Sequence, residues 1–176
     1  MMSLVYIFWM FVIIFSIIGA LRGWAKEILV SFSVILALAL THVIRKYVPL
    51  AASLNETDLS LFWMNMIILG VMVFFGYQTV LSIPRFASRA TRERLQDTLF
   101  GGFLGAINGY LIAGSVFYYI VIADYPYEVI IAKPTDPTLI ETINQMMLYM
   151  PPAVLGEPLI YFAVMLAFVF VLIVYI

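Results

Sequence analysis

Few residues in this chain could do covalent chemistry. It has no Cys, and its single His is His42. A disulfide framework, a thiolate nucleophile, a Cys-ligated metal, a His-rich metal cluster and a His-based triad are therefore excluded. The carboxylates are scattered, so no catalytic, metal-ligating or cofactor-binding set is expected, and the chain reads as a non-enzyme. What remains is spacing. Gly101, Gly105 and Gly109 recur at every fourth residue just after Asp97. Residues so spaced share one helix face, and glycine there lets a second helix approach to backbone contact. Gly102 and Ala106 widen the strip, and Gly114 lies nearby. The chemistry of such a face is association, within the chain or between chains, with Asp97 capping the helix that carries it.

A second cluster is Gly19-Ala20-Leu21-Arg22-Gly23-Trp24-Ala25-Lys26-Glu27. Gly23 frees the backbone at a turn. Arg22 and Lys26 have the reach to meet lipid phosphates from the interface. Glu27 either pairs with Arg22 or caps the next helix, whose N-terminal end favours an anion. A third cluster carries Arg85, Arg89, Arg92 and Arg94. The first three share a helical face, which reads as a basic amphipathic segment on anionic lipid headgroups, each Arg contributing ~1 kcal/mol near such a surface.

These groups must be positioned by membrane helices. The 176 residues are 65% hydrophobic and 11% charged, with a mean hydropathy of +1.09. A soluble domain is about half apolar and about a quarter charged. The net charge of −1 supplies no basic field for nucleic acid. A hydrocarbon core ~30 Å thick needs ~20 apolar helical residues. Leu4–Leu21, Ile28–Ile44, Leu61–Leu81, Leu99–Ala123 and Leu159–Ile176 are free of Asp, Glu, Lys and Arg. In lipid the backbone must satisfy its own hydrogen bonds, so these segments should be helices. The apolar/polar alternation of a β-barrel is absent. The expectation is an all-α bundle of about five transmembrane helices forming one membrane domain over 1–176. The first segment lacks a basic flank and is read as a retained span, not a signal peptide.

Lys and Arg favour short cytoplasmic loops. The first and third connections hold Arg22, Lys26, Arg85, Arg89, Arg92 and Arg94; the second and fourth hold Arg45, Lys46 and Lys133. This predicts an outside N-terminus and an inside C-terminus, with Arg45 and Lys46 dissenting. The outer loop 124–158 carries Leu139, Ile140, Ile143, Met146 and Met147 at helical spacing between Pro137 and Pro151-Pro152. That pattern predicts a short amphipathic helix lying on the outer membrane surface. Asn65, Gln78 and Asn108 are placed to hydrogen-bond between spans. No Asp, Glu, Lys or Arg falls within the five apolar segments, which argues against an ion-coupled carrier.

Two of these clusters together resemble the colicin V production protein family. Its G-x-x-R-G-x-x-x-E signature is matched by Gly19, Arg22, Gly23 and Glu27, and its D-x-x-x-G-x-x-x-G-x-x-x-G signature by Asp97, Gly101, Gly105 and Gly109. The resemblance covers about Leu4 to Met150. The chain departs from the pattern at Tyr6, where an acidic residue is frequent, at Asn108, where a basic one is, and in its final apolar segment. The resemblance implies a bacterial inner-membrane protein tied to toxin production or secretion. Its partners would be the bilayer, anionic headgroups and other transmembrane helices, in a homo-oligomer or a larger complex. One alternative is an accessory subunit of a respiratory or photosynthetic complex, which would bring pigment, quinone or lipid against its aromatic and methionine side chains. A passive pore or transporter is the other.

Overall fold

A computed structural model of the chain describes residues 3–78, 91–127 and 131–175. The described residues form helices and no strand: α1 (Leu4–Arg22), α2 (Trp24–Tyr47), α3 (Pro49–Ala52), α4 (Leu59–Gln78), α5 (Thr91–Ile122), α6 (Pro137–Met147), α7 (Pro151–Val154) and α8 (Leu159–Tyr175). Among them, α1, α2, α4 and residues Leu95–Ile122 of α5 are long and apolar enough to cross a membrane. The fifth, α8, is a shorter apolar helix of 17 residues. At ~1.5 Å per residue it reaches about 25 Å, the short end of what a ~30 Å core accepts.

Helix ends differ from the apolar runs because charge ends a hydrophobic segment without ending a helix. The first connection is expected over Arg22–Glu27, yet only Gly23 separates α1 from α2. Gly23 takes φ +88°, a left-handed conformation that other residues rarely adopt. It receives the C-terminus of α1 through its N–H to the Gly19 carbonyl at 2.9 Å.

The central helices are α2 and α5. α1 packs along α5, while α4 and α8 pack on α2. Contacts of Gly19, Phe15 and Val12 with successive glycines of α5 make α1 antiparallel to it. Phe32 meets Phe168 with ring centroids 6.3 Å apart, and Lys46 meets Glu157 at 2.8 Å, so α8 runs antiparallel to α2. The long helices therefore alternate in direction, as consecutive crossings require. Val30, Val34, Leu38, Leu69, Leu111 and Ile160 are buried in the principal core.

The helix expected in the outer loop is α6. Asp136 caps it, accepting the Thr138 N–H at 3.0 Å, with Pro137 at the first helical position. Its apolar face turns inward: Ile143 is buried against Leu4, Phe8, Phe117 and Tyr125, with Leu139 and Met146 alongside. The ends of α1 and α5 present an apolar surface that takes most of the apolar face of α6, leaving Ile140 exposed. Gly114 receives Pro151 of α7, whose Cδ would lie 2.7 Å from a Cβ at that glycine.

At the same end, Glu157 ties α8 to α2. Its carboxylate accepts from Lys46 Nζ at 2.8 and 2.9 Å and from the Tyr161 hydroxyl at 2.6 Å, with His42 Nε2 at 3.1 Å. The Lys46 and Tyr161 hydrogen bonds push the Glu157 carboxyl down from 4.5 to about 2. Folding thus favours the ionised form. The contribution of this latch is complete above pH 4.5 and is lost as pH falls through about 2. Spin labels at exposed Val43 and Leu159 should hold a constant separation down to pH 4.5 and broaden below it. In Glu157→Gln the broad distribution should already be present at neutral pH.

Candidate functional site

The two signature segments, more than seventy residues apart in sequence, meet in one seam where α1, α2 and α5 converge. The glycines come first. A Cβ at Gly101 would collide with the Gly19 carbonyl oxygen and lie 3.1 Å from Gly23 Cα. One at Gly105 would collide with the Phe15 carbonyl oxygen and lie 2.9 Å from Gly19 Cα. One at Gly109 would lie 2.9 Å from both Val12 Cα and Phe15 Cβ. Backbone thus meets backbone along α1 and α5, and the partner of the glycine strip is α1 of the same chain.

Glu27 lies in the first turn of α2 with no exposed surface. Arg22 donates to its Oε1 at 2.7 Å. Asn108 of α5 donates through Nδ2 to its Oε2 at 2.8 Å and to its backbone carbonyl at 2.9 Å. The Ser31 hydroxyl donates to Asn108 Oδ1 at 2.6 Å. Arg22 also donates to the Tyr77 carbonyl at 3.3 Å and stands 4.2 Å from the Tyr77 ring centroid, which draws in α4. Each carboxylate oxygen of Glu27 has a partner and the buried charge is compensated, as burial of an ion requires. This is the chemistry of a fixed interior ion pair. Of the two roles open to Glu27 from sequence, pairing with Arg22 is the one observed.

This arrangement differs from the expectation that the spans carry no carboxylate, because α2 extends beyond the apolar segment Ile28–Ile44. Starting at Trp24, α2 brings Glu27 inside a membrane-length helix and sinks it among its neighbours. Asp97 also differs from expectation. α5 spans Thr91–Ile122, so Asp97 lies well within it and does not cap it. Its Oδ1 accepts the Trp24 N–H at 3.1 Å, so α5 caps the start of α2 from outside. A Cβ on Gly23 would come within 2.6 Å of Asp97 Oδ2, so that position needs glycine for space as well as for φ. Arg85 and Arg89 lie outside the described residues. Arg92 and Arg94 fall within α5, their side chains outside the described residues.

Asn108, expected to hydrogen-bond between spans, does so with Glu27 and Ser31, and neither Asn108 nor Ser31 is a fixed position of the signatures. Ser31 follows Glu27 by one helical turn, and Asn108 directly precedes Gly109. An amide flanking a glycine strip, and a hydroxyl sharing a face with a carboxylate, were the available signals.

The model of the colicin V production protein family matches residues 4–132. The match takes in α1, α2, α4 and α5 and stops short of Met150, leaving α6, α7 and α8 beyond it. No curated protein and no solved structure matches the chain. Both signature segments fall within the matched range and close on one another as a single buried seam, and the chain belongs to the colicin V production protein family.

Proposed function

We propose that this chain is a non-enzymatic, multi-pass protein of the bacterial inner membrane that serves toxin production or secretion by associating with other membrane helices. The observation that carries this reading is the seam itself. The interior carboxylate is wholly engaged by Arg22 and Asn108, and the glycine strip is occupied by α1. The polar and small residues of the signatures thus make one rigid unit. Contact with partners then falls to the outward faces, such as Ile67, Val71 and Phe74 of α4, which are exposed. In this reading the N-terminus lies outside and the C-terminus inside. The excess of Lys and Arg in the first and third connections supports this orientation.

Mild-detergent purification from the native membrane tests the reading, together with toxin release from a producing strain that lacks the chain. Release should fall without the chain and return with it, and the chain should co-purify with itself or with secretion components. Unchanged release would refute the role. Co-migration with a redox complex would favour an accessory subunit, and ion flux through liposomes a pore.

A further inference from the structure

A groove of about 900 Å³ opens between α5 and α8, floored by α2. Its size falls within the ~300–1,000 Å³ of small-molecule sites, and its make-up is theirs too: mostly apolar lining with a few polar groups. Phe103, Leu104, Leu166 and Phe170 supply apolar walls, while Trp24, Gln96 and Asp97 stand at one end. That end lies beside Gly23, which sits between Arg22 and Lys26 in sequence. From Trp24 to Ile35 the groove runs about 16 Å along α2 at ~1.5 Å per residue, roughly half of a ~30 Å core. Farther along, α8 closes on α2, and Ile160 is fully buried with Leu38 and Ala39 in the core.

We propose that this groove binds one membrane phospholipid with a primary ammonium headgroup, its acyl chains along the Phe103 and Leu166 walls and its ammonium on Asp97. The length selects the occupant. A groove one leaflet deep with polar groups at its interfacial end fits a lipid. A crossing partner helix needs contact through the whole thickness. Charge selects the headgroup. Asp97 is the charged residue of the lining, one of its oxygens accepts only an uncharged N–H, and no cation pairs with it among the described residues. An ammonium supplies the missing charge, and a charge-assisted hydrogen bond to a carboxylate is among the stronger kinds.

The test uses the full chain reconstituted in equal parts phosphatidylethanolamine and phosphatidylglycerol, then released into mild detergent and weighed by native mass spectrometry. Wild type should carry phosphatidylethanolamine well above the bilayer ratio. Asp97→Asn keeps the acceptor for the Trp24 N–H and should lower that excess about tenfold, the loss expected for one charge-assisted hydrogen bond. Ala167→Trp fills the groove from α8 and should release both lipids without touching the seam. Lipid retained at the bulk ratio, preference for phosphatidylglycerol, or full retention by Ala167→Trp would each overturn the proposal. Neither variant is read through toxin release, so this result is independent of the proposed function.

Discussion

Gly105→Leu should separate α1 from α5, whereas Gly70→Ala should leave the bundle intact. Adding side-chain bulk to a packed core costs ~1–3 kcal/mol when neighbouring side chains can shift. At Gly105 the obstacles are the Phe15 carbonyl oxygen and, at 2.9 Å, Gly19 Cα. Backbone atoms cannot rotate away, so the cost should exceed that range. At Gly70 nothing lies within 4 Å of an added Cβ. Alanine there restores helix propensity, leaving stability unchanged or raised by up to about 1 kcal/mol. The absence of cysteine provides a clean reporter. A Cβ at Gly102 would lie 3.4 Å from Ala20 Cβ, close to the ~3.5–4.5 Å of a disulfide. Ala20→Cys with Gly102→Cys should therefore crosslink within one chain. The crosslink should persist with Gly70→Ala and vanish with Gly105→Leu. Formation between chains, or survival with Gly105→Leu, would show that the strip faces something other than its own α1.

The same strip shows what the sequence could and could not tell. Its four-residue spacing announces a face stripped of side chains, but spacing names no partner. α1 is recognisable only afterwards, because Gly19 offers a matching gap from a segment read as a turn. The long helices were legible since lipid demands long apolar runs, and the helical spacing and flanking prolines of α6 marked it equally well. Its resting place was not legible, because an apolar face suits either the bilayer or the ends of α1 and α5. Glu27 was missed as an interior charge for a related reason. Hydropathy locates where an apolar run stops, whereas helical hydrogen bonding continues to the Gly23 break. Asp97 was misplaced likewise, since α5 starts before its apolar run begins.

Glu27→Leu should be among the most destabilising single changes in the chain, at about 3–5 kcal/mol, the cost of stranding one partner of a buried ion pair. Arg22 and the Asn108 amide would both lose their carboxylate. Ser31→Ala deletes a neutral bond between helices and should cost only ~0.6 kcal/mol. Arg22→Met strands the other partner and should approach the Glu27 value, tempered because the Arg22 side chain keeps 20% of its surface exposed. The double change, Arg22→Met with Glu27→Leu, removes both charges together. It should cost clearly less than the sum of the single changes, with a coupling within the ~0.5–3 kcal/mol found for contacting residues. Detergent-denaturation midpoints of the four proteins measure the cycle directly. If Glu27→Leu costs no more than Ser31→Ala, the carboxylate does not hold α1, α2 and α5 together. Additive costs would mean instead that Glu27 and Arg22 act separately, with Asn108 alone tying the Glu27 carboxylate to α5.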